Sequence, residues 1–177
     1  NMMNVYTVRR ATQGLSEYVK SLGAEAMKRG VVISYDTRRK SREFAFAAAG
    51  VLAANGIVAY VFDDVHPVPM LSYAVRRLKT IAGIMITASH NPKEYNGYKV
   101  YGEDGAQMSP EPTAEVVKYI RKITDYFSVK EGTGKLVKKV PSSVDKSYYK
   151  VLAKVALSPE AVKKEGKNLK LVYTPVH

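Results

Sequence analysis

Three short apolar runs govern what this chain can become. Residues 31–35, 57–62 and 81–87 are each about one buried strand long, and each leads straight into a polar loop. The stretches between them follow another period. Residues 5–28 place Val5, Val8, Ala11, Leu15, Val19, Leu22 and Ala26 at steps of three and four, which predicts one amphipathic helix ended by Gly30. Ser41 is placed to cap a second helix, with Phe44, Ala45, Ala48, Val51 and Leu52 on one face and Asn55-Gly56 as its stop. A third helix is expected from Pro69 to Leu78, after the loop His66-Pro67-Val68-Pro69. Strands that alternate with helices predict an α/β fold, a three-layer α/β/α sandwich with a mostly parallel, mixed sheet. Ligands of such sheets sit beyond the carboxyl ends of the strands. The loops at 36–38 and 88–92 both leave such ends, so Arg38 and Ser89 are expected on the same edge of the sheet.

The rest of the chain reads less uniformly. Residues 98–101 form a fourth strand, closed by a hairpin turn at Gly102-Glu103-Asp104-Gly105. Ser109-Pro110-Glu111 opens a helix whose buried stripe is Val116, Ile120 and Ile123. Gly132, Gly134, Pro141 and several lysines make 128–143 a linker or an exposed ribbon. Residues 144–157 are helical again, and 169–173 begin a further strand. The expected division is one domain over 1–165, with 166–177 as a linker and the opening strand of a second.

Composition narrows the function classes. No cysteine is present, so disulfides and thiolate metal sites are excluded. No apolar run reaches the roughly 20 residues that a membrane helix needs, and the N-terminus lacks the pattern of a signal peptide. A cytoplasmic protein is expected. Lysine and arginine total 28 against 16 acidic residues, a formal net charge of +12. That excess suits an anionic partner, a solvated basic surface, or one part of a larger and more neutral protein. Gly132-Thr133-Gly134-Lys135 fails as a phosphate-binding loop, because Val129 and Leu136 occupy its required glycine and hydroxyl positions. Ser89 lacks the flanking glycines of a hydrolase elbow, and His66, His90 and His177 show no local metal-ligand spacing.

The most informative segment is Thr87-Ala88-Ser89-His90-Asn91-Pro92. A hydroxyl nucleophile at a strand end can occupy an exposed, strained turn whose backbone N–H groups cradle an anion. Taken alone, the same residues also suit an ordinary polar loop. Followed by Asn96-Gly97-Tyr98-Lys99-Val100-Tyr101, however, the segment resembles the signature of the α-D-phosphohexomutases. Residues 5–15 and Tyr35-Asp36-Thr37-Arg38 are similar to the phosphoglucomutase/phosphopentomutase branch of that family, and the resemblance is weak only across 128–165.

The resemblance implies that Ser89 is phosphorylated and gives its phosphoryl group to a sugar monophosphate, with a bisphosphate intermediate that returns the other phosphate. It implies catalytic roles for Ser89, His90 and Lys99, and substrate or phosphate binding by Arg38 and Asn91. It also implies a magnesium ion held through the phosphate on Ser89 and by carboxylates outside this chain, and a sugar bisphosphate activator. The partners it implies are a sugar phosphate and the remaining domains of the enzyme, with neither nucleic acid nor membrane. The family's metal, sugar-recognition and distal phosphate loops have no match here, nor does the short segment that normally precedes the first helix. The chain is thus expected to be an excised first domain, inactive alone, of an enzyme that interconverts sugar 1- and 6-phosphates, glucose first among the sugars. The competing expectation is a non-catalytic basic module that binds anions or nucleic acid.

Overall fold

The three apolar runs become the middle of a five-stranded sheet. β1 (Val31–Tyr35) lies between β2 (Ala59–Val61) and β3 (Ala82–Ile86), all three parallel. β4 (Tyr98–Gly102) pairs antiparallel with β3, and β5 (Val137–Lys139) pairs parallel with β2. The order across the sheet is β4-β3-β1-β2-β5. The computed structural model in which this is seen describes residues 3–174, and the chain divides into two units between Val140 and Pro141.

Every residue of β1 and β3 is buried, as strands covered on both faces must be. Their side chains alternate between the faces. Val31, Ile33 and Tyr35 join Ala82, Ile84 and Ile86 in a core with α1 (Val5–Ser21), the short α2 (Ala24–Arg29) and α3 (Ser41–Ala54). The other face carries α4 (Val68–Leu78), close enough that a Cβ on Gly83 would stand 2.7 Å from Val75 Cγ2. α5 (Pro110–Lys122) lies on α1, where Gly14 leaves room for Ile120. The expected three-layer sandwich with a mixed sheet is the observed architecture.

Several boundaries differ from expectation for local reasons. The helix expected over 5–28 is two helices, because Gly23 takes φ +97° and starts α2 anew; Leu22, expected on the apolar stripe, is 47% exposed. Asn4 caps α1 through a capping box with Thr7. Ser41 is the first residue of α3, and Lys40 precedes it in a left-handed conformation, φ 70°. The segment 128–143 is neither linker nor free ribbon throughout. Gly132 packs its backbone on the end of α3, donating to the Gly50 carbonyl at 2.8 Å, and β5 then extends the sheet.

The second unit contains α6 (Ser143–Val155) and α7 (Pro159–Glu165). The strand expected at 169–173 does not form: the backbone there runs without regular structure up to Thr174. A strand exists only through hydrogen bonds to a neighbour, and none pairs with this segment among the described residues. Residues 175–177 lie outside the described part. No described helix is long and apolar enough to cross a membrane.

Candidate active site around Ser89

β1 and β3 are parallel neighbours, so the loops that follow them emerge side by side. Tyr35 is in register with Ile86, and the Asp36 amide donates to the Ile86 carbonyl at 3.2 Å. Arg38 and Ser89 therefore lie on the same edge of the sheet.

Ser89 has φ +55°, in the left-handed region, which costs a residue with a Cβ roughly 1–2 kcal/mol. The surrounding bonds hold it there. Its amide donates to Thr87 Oγ1 at 2.9 Å, and the Asn91 amide closes the turn on the Ala88 carbonyl at 3.0 Å. Ser89, His90 and Asn91 are all exposed on this turn. Thr87 is tied to the next strand, its amide donating to the Gly97 carbonyl at 3.0 Å. A Cβ on Gly97 would stand 2.5 Å from the Thr87 carbonyl oxygen, so the sheet can close here only over a glycine.

Lys99 reaches this turn from β4. It is paired with Met85, and its Nζ donates to Ser89 Oγ at 2.6 Å. A cation thus rests on the exposed serine oxygen. Neighbouring Tyr98 points to the opposite face and shares a hydrogen bond of 3.0 Å with buried Thr12. Burial pushes its phenol well above the ordinary tyrosine value, partly offset by that bond.

Arg38 is only 7% exposed. NH1 donates to the carbonyls of Pro92 (2.8 Å) and Tyr95 (2.9 Å), and NH2 to those of Ser89 (3.0 Å) and Asn91 (2.5 Å). Nε faces Asp36 Oδ2 at 3.4 Å. Asp36 Oδ1 accepts from the Arg38 amide (3.0 Å) and from Ser41 Oγ (2.8 Å). Asn96 completes the link, its Nδ2 donating to Ser41 Oγ at 2.9 Å and to the Arg39 carbonyl at 3.2 Å. Beside the loop, a cleft of about 270 Å³ is lined in part by Arg39, Lys40 and Lys93.

The expected site residues thus share one turn and its flanks. Thr87 and Asn96 were expected only as parts of the motif and Ser41 only as a cap, whereas all three hold the turn in shape; the Asn91-Pro92 and Asn96-Gly97 pairs were the signals that a tight fold-back was needed. His66 stacks on Phe62, ring centroids 4.1 Å apart, and takes no part. No group of three His, Cys, Asp or Glu side chains among the described residues could hold a metal ion, and both Asp36 oxygens are already engaged. These residues do not by themselves fit a magnesium site.

Comparison with known proteins bears on the family and on the fold. Residues 1–127 match the sequence profile described as phosphoglucomutase/phosphomannomutase, alpha/beta/alpha domain I. A phosphoglucomutase of Staphylococcus epidermidis is 41% identical over 99% of this chain, and that of Staphylococcus aureus strain MRSA252 is 39% identical over the same share. The chain spans about a third of these relatives, 32% and 31% of their lengths. Among solved structures, a Thermus thermophilus protein provisionally assigned as a phosphomannomutase superposes with a TM-score of 0.73 at 27% identity, over 86% of this chain and 32% of its own. A phosphoglucomutase from Paramecium shares the fold, with a TM-score of 0.63 at 20% identity over 84% of this chain and 31% of its own. On these grounds the chain belongs to the phosphoglucomutase/phosphomannomutase family, of which it carries the first α/β/α domain.

Proposed function

We propose that Ser89 is the phosphoryl-carrying residue of a sugar-phosphate mutase, and that this chain is the part of the enzyme that presents it. The observation that carries the reading is the 2.6 Å contact from Lys99 Nζ to Ser89 Oγ, on an exposed left-handed turn at the carboxyl end of β3. In the forward step the bond between Ser89 Oγ and phosphorus breaks, and a bond from a sugar hydroxyl to the same phosphorus forms. Negative charge gathers on the departing serine oxygen during transfer; the proton that the sugar hydroxyl loses is balanced by one taken up at Ser89 Oγ through solvent, which leaves a neutral serine hydroxyl. Lys99 donates to that oxygen, so its ammonium stabilises the charge where it develops. In the return step the other phosphate of the sugar bisphosphate passes back to Ser89. His90, exposed beside Ser89, is assigned to orienting the phosphoryl group, and Asn91 to binding it.

Magnesium would supply charge neutralisation at the phosphoryl oxygens. In this reading the phosphate on Ser89 gives one ligand, and carboxylates elsewhere in the protein give the others. The sugar-recognition and distal phosphate groups are likewise assigned to the part of the enzyme beyond this domain, which is taken to begin near residue 166. Glucose phosphate is the proposed substrate, a sugar bisphosphate the proposed activator and the cytoplasm the proposed location. Positioning provides much of the rate in phosphoryl transfer, so the domain alone is assigned no more than trace turnover.

The test uses the full-length protein. Intact-mass and peptide mass spectrometry should find one phosphate, on Ser89, that exchanges with labelled glucose bisphosphate. Ser89→Ala should abolish conversion of glucose 1-phosphate to glucose 6-phosphate while the fold is kept, since the side chain stands on a surface turn. Near-normal turnover in Ser89→Ala would remove the assignment.

A further inference from the structure

Arg38 is surrounded in a way that a phosphate ligand is not. A guanidinium has five N–H donors in a rigid plane. Four carbonyls from the 89–95 loop and the Asp36 carboxylate face this one, leaving no donor directed at solvent. Its charge is also balanced locally by Asp36, and only 7% of the residue is exposed. We propose that Arg38 is a positioning residue: it gathers the carbonyls of Ser89, Asn91, Pro92 and Tyr95 onto one buried cation and so fixes the left-handed turn on which Ser89 stands. The inference rests on the reading of Ser89 as the phosphoryl carrier, and it assigns Arg38 no contact with the phosphoryl group.

Geometry explains why an arginine is needed. The four carbonyls approach in pairs, two on NH1 and two on NH2, which a planar fork can accept and a lysine ammonium, with three donors on a single point, cannot. Peptide planarity adds a second effect. The peptide between Ser89 and His90 is trans, so turning the Ser89 carbonyl toward Arg38 turns the His90 N–H the opposite way. The buried cation thereby sets the direction of a backbone donor beside Ser89, as well as the place of its Oγ beneath Lys99. Asp36, Ser41 and Asn96 brace the arginine in turn, through bonds of 2.8 Å and 2.9 Å that link the two loops.

The experiment compares wild type, Arg38→Lys and Arg38→Ala in the full-length protein. Amide hydrogen exchange over 89–97 should speed up at least about tenfold in both variants, with β1 and β3 still protected. Turnover should fall on the order of 100-fold with KM for glucose 1-phosphate changed less than about threefold, because misplacing a reacting group lowers kcat rather than affinity. Millimolar guanidinium should restore part of the activity to Arg38→Ala and none to Arg38→Lys. A second measurement needs no variant. Phenylglyoxal should label exposed Arg39 and spare Arg38 in wild type, whether or not sugar phosphate is present. Unchanged loop exchange with a large rise in KM, or labelling of Arg38 that sugar phosphate blocks, would overturn the proposal in favour of a direct phosphate ligand. Turnover that survives Ser89→Ala would instead defeat the reading of Ser89 and leave the exchange and labelling results to decide the role of Arg38.

Discussion

Ser89 occupies a backbone conformation that is unfavourable for any residue with a Cβ, and two cations hold opposite ends of it. Arg38 takes its carbonyl and Lys99 its hydroxyl. These cations act on different quantities. In the proposed reaction Lys99 touches the oxygen whose charge changes during transfer, so Lys99→Met should lower kcat by about 100- to 1,000-fold and shift KM for the sugar phosphate by less than about threefold. Steady-state kinetics at saturating bisphosphate would check this; a rise in KM with kcat unchanged would move Lys99 to ground-state binding. The fold brings the Ser89 and Lys99 side chains into contact, and that the two belong to one motif was legible in the sequence through its resemblance to a family signature. The arrangement of Arg38 was not. A sequence shows that a guanidinium follows β1, but whether it faces an anion or a ring of carbonyls depends on how the neighbouring loop folds over it. The Ser41 hydroxyl was misplaced for a related reason: cap propensity suggests a bond to its own helix, whereas here it bonds Asp36 and Asn96 across the loops.

At the scale of elements, close approach decides more than propensity. Gly14 sits in the middle of α1, where alanine would ordinarily favour the helix by roughly 0.5–1 kcal/mol. Here a Cβ would run into the Ile120 side chain and stand 3.0 Å from its backbone nitrogen. The overlap outweighs the propensity, so Gly14→Ala should destabilise the domain by about 1–3 kcal/mol, measured as a lower urea midpoint with an unchanged slope. The central strands were readable as short continuous apolar runs, and α3 and α5 from apolar residues recurring at helical spacing. β5 was not, since only Val137 of its three residues is apolar and its partner, β2, lies far back in the sequence. The division between α1 and α2 was hidden as well. Leu22 keeps the helical spacing, yet Gly23 turns the chain before that leucine reaches the core.

For the whole molecule, buried phenols add a loss of stability at alkaline pH. Burial raises the pKa of Tyr98 most and also raises those of Tyr35 and Tyr101, all from an ordinary value of 10.0. A phenol that ionises later in the folded chain than in the unfolded one binds more protons when folded. Stability is therefore at its full value below about pH 10 and falls as pH rises toward the folded-state values. Tyr98→Phe should flatten that alkaline decline by at most about 1.4 kcal/mol per pH unit, and should cost some stability at neutral pH through the lost bond to Thr12. Urea titrations between pH 9 and 11.5 would check it, and parallel slopes for the two proteins would count against it. A different consequence follows from β5. The family match ends at residue 127, ten residues before that strand begins at Val137. A fragment trimmed to the match would leave Ala59, Tyr60 and Val61 as a bare outer strand, an open template for cross-chain pairing. The 177-residue chain covers that row with a strand carrying exposed Lys138 and Lys139, the latter paired with Asp63, and lysines on an outer strand discourage a further strand from adding. Whether an excised version stays dispersed or aggregates would thus turn on these three residues, which lie outside the match by which the domain is recognised.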